Sequence, residues 1–140
     1  MPIDKRIDRR RKIVFVTPRG LLTEEDMVAY QTEYGTREDL EGFDELFDMT
    51  VVDRLDLRSP QQIINVARLS AGHAAGKPPT RMAIVATDKF HAALGQMYRG
   101  FRNEDPSSSR EIEIFPSVED ALGWLRKKPV SAMGRSTKRP

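Results

Sequence analysis

The chain has 140 residues, of which 39% are apolar and 31% are charged, as expected for one globular domain with a substantial core and a charged surface. It contains no cysteine, which excludes a disulfide framework, thiolate catalysis and sulfur-ligated metal. The first residues lack the apolar segment of a signal peptide, and no apolar run reaches membrane-spanning length. We therefore expect a cytoplasmic protein without a transmembrane segment.

The net charge of +2 conceals an uneven distribution. Six basic residues lie within positions 5–12 and six more within 126–139, whereas the chain between them has eleven basic and nineteen acidic residues. An acidic body repels phosphate backbones, and no aromatic residues are interleaved with the arginines to stack bases. We therefore expect no specific nucleic-acid partner, a single domain over residues 1–127, and a basic, disordered tail over residues 128–140.

The first part of the chain predicts a β-hairpin followed by a helix. Ile3–Arg9 and Lys12–Thr17 have the composition of strands, and the short connection between them favours antiparallel pairing. The break at Pro18-Arg19-Gly20 ends the second strand. Thr23 then starts the first helix, because threonine caps helices well and Asp26 can complete a capping box.

Leu46–Val52 predicts the third strand, and a second helix follows it. Ser59–Gln62 (SPQQ) supplies a capping serine, a proline at the first helical position and a glutamine at the third. One face of this helix carries Ile63, Ala67 and Ser70. The glycines and prolines of Gly72–Thr80 predict a loop, which would place His73 outside regular structure.

The second half predicts two strand–helix units in succession. Met82–Ala86 is apolar at every position, which is typical of a strand covered on both faces. After Asp88, the third helix has a predicted buried stripe formed by Phe90, Leu94, Met97, Tyr98 and Phe101. A loop at Asn103–Arg110 leads to a fifth strand, Ile112–Phe115, and Ser117 caps the fourth helix.

This order of elements predicts an α/β fold, with a five-stranded mixed sheet in which an N-terminal β-hairpin precedes parallel strand–helix units, and with four main helices. Four segments carry a resemblance to a known group: Gly20–Gln31, Phe43–Leu57, Arg81–Phe101 and Glu113–Leu125. In order and spacing they resemble the SpoIIAA-like superfamily, which includes STAS and STAS/SEC14-type domains. The resemblance implies a stand-alone bacterial domain that binds proteins, nucleotides or lipids rather than turning over a substrate.

Ser59 is the first candidate functional residue, on the strength of this resemblance. In anti-sigma-factor antagonists of this fold, a serine at the start of the second helix is phosphorylated and switches partner binding. The sequence here reads Asp-Leu-Arg-Ser-Pro over residues 56–60, not the Asp-Ser-Ser-Gly of those proteins. We therefore interpret Ser59 chiefly as a helix cap, with phosphorylation as the alternative.

Asp48, Asp53 and Asp56 cluster in and after the predicted third strand. Such carboxylates can hold Mg²⁺ or act as bases. We favour the interpretation in which Asp53 and Asp56 shape a turn and Asp48 accepts hydrogen bonds from a neighbouring segment. The two histidines, His73 and His91, match no zinc motif. We therefore expect no metal, no cofactor and no catalytic residue.

In a parallel sheet, ligands meet the loops at the carboxyl ends of the strands. We accordingly predict a partner- or ligand-binding face made by Asp53, Asp56, Ser59, Thr87 and Asp88. The leading hypothesis is a non-enzymatic protein-interaction or regulatory module, with a kinase or sigma-regulatory partner and a possible homodimer. The alternative is a carrier of a lipid or other apolar molecule between the sheet and the third helix, and the lowest-ranked is an enzyme that uses the three aspartates.

Overall fold

The structure is a computed structural model, and it describes residues 3–57, 59–107 and 109–127. The predicted tail at 128–140 lies outside the described residues. The strands are β1 (Ile3–Asp8), β2 (Ile13–Pro18), β3 (Gly20–Thr23), β4 (Asp44–Asp48), β5 (Val52–Asp56), β6 (Thr80–Val85) and β7 (Arg110–Phe115). The α-helices are α1 (Glu24–Tyr34), α2 (Pro60–Ala74), α3 (Lys89–Glu104) and α4 (Val118–Arg126).

Five strands form the main sheet, in the order β1-β2-β4-β6-β7. β1 is antiparallel to β2, whereas β2, β4, β6 and β7 run parallel to one another. The predicted α/β class, the five-stranded mixed sheet and the hairpin are therefore confirmed. In the hairpin turn, Asp8 accepts hydrogen bonds from the backbone N–H of Arg11 at 3.0 Å and from its Nε at 2.7 Å. These bonds, the backbone one foremost, lower the pKa of the Asp8 carboxyl.

A second sheet of two parallel strands, β3 and β5, was not predicted. The prediction of one strand over Leu46–Val52 is wrong, because β4 ends at Asp48 and β5 begins at Val52. Between them the chain turns, and the Asp48 carboxylate accepts a hydrogen bond from the backbone N–H of Thr50 at 2.9 Å. An aspartate that binds the backbone two residues ahead favours a turn over continued strand. The apolar run Leu46–Val52 therefore contributes residues to strands of two different sheets.

The main sheet is covered on both faces. α1, α2 and α3 pack on one face, where Met82 and Ile84 of β6 contribute to the core. α4 packs on the other, against Ala83 and Val85. This alternation confirms the prediction of a β6 strand that is buried on both sides.

The helices differ from the prediction in rotation and in length. On α3, the buried residues are His91, Gly95, Tyr98 and Arg102. Phe90 is 60% exposed and Met97 is 38% exposed, so the predicted apolar stripe is wrong at these two positions. The reason lies at Gly95, where a Cβ atom would lie 3.1 Å from Ile114 Cγ1, so the glycine side of the helix must face the sheet.

Two predicted loops are shorter in the structure, because the adjoining helices extend into them. α2 continues through Ala74, so His73 lies in its last turn rather than in a loop. α3 continues to Glu104, one residue beyond Asn103. Within the described ranges, no helix combines the length and the apolar character needed to cross a membrane.

Candidate functional site

The predicted binding face at the carboxyl ends of the parallel strands consists mainly of exposed polar residues. Ser59 is the N-cap of α2, and its backbone N–H donates to Gln62 Oε1 at 3.2 Å. Asp88 is the N-cap of α3 and accepts from the backbone N–H of His91 at 2.9 Å. His91 Nδ1 also lies 2.8 Å from Asp88 Oδ2. Ser59, Thr87 and Asp88 are exposed, so the capping residues also present a polar surface.

The three aspartates of the enzyme hypothesis occupy different settings. Asp48 holds its turn, Asp53 is exposed in β5, and Asp56 is half-buried at the end of β5, where it is paired with Thr23 in the register of the small sheet. Across the described part of the chain, no group of three or more aspartate, glutamate or histidine side chains is placed to hold a metal ion. The prediction that Asp53 and Asp56 shape a turn is wrong, because both lie in β5, and the turn is instead stabilised by Asp48.

A polar cavity of about 90 Å³ lies at the opposite end of the sheet, and it was not predicted. It forms where β4, β6 and β7 begin and where the last turns of α1, α2 and α3 meet. Its lining includes Tyr30, Glu45, Ser70, His73, Arg102 and Arg110. The volume is several times the roughly 10–15 Å³ that one water molecule needs, so the cavity has room for several waters or one small ligand.

One side of this polar cavity contains a buried carboxylate with two donors. Glu45 is 5% exposed, Tyr30 Oη donates to its Oε2 at 2.8 Å, and Arg110 Nη1 forms an ion pair with its Oε1. Arg110 Nε in turn donates to Thr80 Oγ1 at 2.9 Å. Burial, and then the adjacent Glu45 charge, raise the pKa of Tyr30 well above its ordinary value, so the phenol remains a neutral donor.

The other side contains a buried guanidinium without an anionic partner. Arg102 is 1% exposed, and its Nη1 donates to Ser70 Oγ and, at 3.2 Å, to Tyr98 Oη. Tyr98 Oη also donates to Ser70 Oγ at 2.8 Å. Within the described residues, nothing accepts a hydrogen bond from Arg102 Nε or Nη2, and the buried Nδ1 of His73 is also without a partner. This end of the domain therefore holds unsatisfied polar atoms.

A smaller apolar cavity, of about 50 Å³, lies between the sheet and the helices α1, α2 and α3. Its lining is almost entirely apolar and includes Leu22, Met27, Phe47, Ile63, Leu94 and Gly95. Its position agrees with the one expected for the carrier alternative, although its volume fits only a few non-hydrogen atoms.

The arrangement of strands and helices was compared with solved structures. A crystal structure of an uncharacterized protein of the DUF3478 family from Shewanella loihica PV-4, described as having a SpoIIAA-like fold, matches with a TM-score of 0.56 and 21% identity. The match covers 88% of this chain and 93% of that protein. The chain has a SpoIIAA-like fold. No family model and no curated protein matches it.

Sequence reasoning missed the polar cavity of this SpoIIAA-like domain. Its residues are far apart in the chain, and each charge alone is typical of a solvated surface. Two signals were present: Ser70 lies on the apolar face of α2, and Arg102 follows Tyr98 by one helical turn. A serine, a tyrosine and an arginine that share the buried sides of neighbouring helices indicate a polar cluster within the core.

Proposed function

We propose that this chain is a non-enzymatic, cytoplasmic protein-interaction module with a regulatory role, and that its partner binds at the carboxyl-end face. This face consists of the predicted residues Asp53, Asp56, Ser59, Thr87 and Asp88. The fold supports a binding module of this general type. Ser59 and Asp88 are helix caps whose side chains are exposed, so they could contact a partner without losing their structural role.

One observation carries the proposal. Each parallel strand of the main sheet is followed, within five residues, by a large apolar side chain that is exposed. The exposed fractions are 44%, 40%, 60% and 37% for Leu21, Val51, Phe90 and Val118. Contiguous apolar patches rimmed by polar residues mark interaction surfaces, and we infer that these side chains form the apolar part of the binding face.

The environment of Ser59 favours binding without phosphorylation. Glu24 lies against the first turn of α2, where it accepts hydrogen bonds from Gln62 Nε2 and Asn65 Nδ2, both at 3.2 Å. A phosphate on Ser59 would gain from the helix dipole but would meet this carboxylate, and like charges oppose each other. The phosphorylation switch therefore remains the alternative for this residue. If it operates, Ser59→Asp and Ser59→Ala will change partner binding in opposite directions.

The test compares two exposed apolar residues on the same helix. Phe90→Ser removes the most exposed apolar side chain at the face, and Met97→Ser is the matched control, since Met97 is also exposed but lies two turns further along α3. Self-association is measured by analytical ultracentrifugation, and partners are identified by cross-linking in cells that produce the protein. We expect Phe90→Ser to weaken the resulting complex at least about ten-fold while Met97→Ser leaves it unchanged. Equal effects of the two substitutions would contradict the proposal.

The apolar cavity supports one second candidate, a carrier of a small apolar molecule. Its volume of about 50 Å³ is too small for a lipid chain unless α3 moves away from the sheet. Native mass spectrometry, set against the denatured mass, decides this point. A mass that is lost on denaturation and absent from Leu94→Trp, which fills the cavity, would favour the carrier, and a bare chain mass would count against it.

A further inference from the structure

The polar cavity contains a cation whose hydrogen-bonding capacity is only partly used. Arg102 is 1% exposed, and its guanidinium is held through Nη1 by Ser70 and Tyr98. Both of those partners are neutral hydroxyls. A buried charge that lacks a counter-charge is strongly unfavourable, so proteins almost always pair or neutralise it. Arginine remains protonated in proteins, which leaves pairing as the available solution.

The unpartnered atoms are Nε and Nη2, and together they form one edge of the guanidinium. Two parallel N–H groups on such an edge match the two oxygens of a carboxylate or a phosphate. Because Nη1 is anchored by Ser70 and Tyr98, the orientation of this edge is set before any ligand arrives. We propose that the polar cavity binds a small oxyanion, a carboxylate or a phosphate, through Nε and Nη2 of Arg102.

The lining of the polar cavity contains four basic side chains, Arg37, Lys77, Arg102 and Arg110, and three acidic ones, Glu41, Asp44 and Glu45. Glu45, the buried carboxylate of the lining, is already neutralised by Arg110 and hydrogen-bonded to Tyr30, so it does not compensate Arg102. Lys77 also lines the cavity and donates to the backbone oxygen of Gly35 at 3.2 Å. The helix ends at the cavity contribute partial negative charge, but in the described residues they place no acceptor on Nε or Nη2.

His73 provides a second, independent indication of a ligand. Its Nδ1 is buried, has no partner among the described residues, and belongs to the lining of the same cavity. Of the three side chains in the described residues with buried, unpartnered polar atoms, His73 and Arg102 both line this cavity. The volume of about 90 Å³ limits the ligand to a few non-hydrogen atoms, so a nucleotide does not fit. Because Nε and Nη2 are buried, the proposed binding requires the lining side chains to shift.

The test follows the Arg102 Nε–H resonance of ¹⁵N-labelled protein, assigned by its absence from the spectrum of Arg102→Lys. Sodium acetate and sodium phosphate are titrated at constant ionic strength, with sodium chloride as the reference anion. We expect a saturable shift with at least one of the two oxyanions and none with chloride. No saturable shift at tens of millimolar oxyanion, or equal shifts with chloride, would overturn the proposal.

Substitutions of Arg102 distinguish recognition by the guanidinium edge from attraction by positive charge alone. Binding to every variant is measured from the backbone amide shifts of Ser70 and His73, which line the cavity and do not require an arginine at position 102. Arg102→Lys keeps the charge but lacks the fork, and we expect at least about ten-fold weaker binding. Arg102→Met should abolish it. The control, Arg99→Met, alters a half-buried arginine of the same helix that is bound to Glu113 at 3.3 Å, and it should bind as the unsubstituted chain does. An unchanged oxyanion affinity in Arg102→Lys would refute the proposed role of the guanidinium edge. If Arg102→Met does not fold, Arg102→Lys and the Nε–H signal of the unsubstituted chain still test the proposal.

Discussion

The buried ion pair at the polar cavity predicts a large and specific loss of stability. In Arg110→Met, the Glu45 carboxylate keeps the hydrogen bond from Tyr30 at 2.8 Å but loses its counter-charge. Removal of one partner from a buried ion pair costs about 3–5 kcal/mol, because the remaining charge stays buried. The Arg110 side chain is 20% exposed and that of Glu45 is 7% exposed, so some water can reach the pair. We therefore expect about 3 kcal/mol, the lower end of that range.

The assay is urea-induced unfolding followed by circular dichroism, with the free energy of unfolding extrapolated to zero denaturant. A double-mutant cycle with Glu45→Gln isolates the charge. Because glutamine removes the uncompensated carboxylate, the double variant should be more stable than Arg110→Met alone. Arg99→Met is the matched control: its ion pair with Glu113 is 3.3 Å long and about two-fifths exposed, so its loss should cost less than about 1 kcal/mol.

Two results would refute this reasoning. In the first, Arg110→Met lies within about 1 kcal/mol of the unsubstituted chain, which would mean that Glu45 is solvated or neutral. In the second, the effects of Arg110→Met and Glu45→Gln simply add, because additivity indicates that the two side chains are not coupled.

Two further predictions follow from the same helices and strands. Burial raises the pKa of the Tyr30 phenol. Above about pH 10 the unfolded chain therefore loses this proton while the folded chain keeps it. The free energy of unfolding then falls with rising pH, by at most about 1.4 kcal/mol per pH unit. Urea midpoints on either side of pH 10 should show a smaller fall in Tyr30→Phe, and equal falls would contradict the assignment. On α3, Gly100→Ala should stabilise by about 0.5–1 kcal/mol, since nothing lies within 4 Å of the added Cβ. Gly95→Ala gains the same helix propensity, but its Cβ would lie 3.1 Å from Ile114 Cγ1. In thermal unfolding it should therefore be about 1–3 kcal/mol less stable than Gly100→Ala. Equal stabilities of the two variants would contradict the close packing at Gly95.

The elements that the sequence predicted well are those whose signals are local. The caps at Thr23, Ser59 and Ser117 depend on residues no more than three positions apart, and all three occur in the structure. The hairpin likewise joins neighbouring strands through a short turn. The pairing of β3 with β5 is different, because parallel strands of four and five residues joined by a long connection leave no local signal.

The polar cavity was missed for a related physical reason. Glu45 and Arg110 have unremarkable local sequence environments and are most simply interpreted as surface residues, whereas Ser70 is a single polar residue on an apolar helix face. Their burial is stabilised by partners that lie 15 or more residues away, as in the bonds from Tyr30 to Glu45 and from Arg102 to Ser70. Such long-range pairing follows only from the three-dimensional arrangement of β4, α2 and β7.

The wrong stripe on α3 and the unpredicted burial of Arg102 have a single cause, the rotation of that helix about its axis. A stripe chosen by apolar character alone turns Phe90 and Met97 inward and leaves Arg102 to solvent. The contact of Gly95 with Ile114 requires a different rotation, which buries Arg102 at one end of the helix and exposes Phe90 at the other. The proposed partner surface and the proposed oxyanion site therefore depend on the same packing contact. The close packing at Gly95 depends on the small volume of glycine, and a hydrophobicity pattern does not register volume.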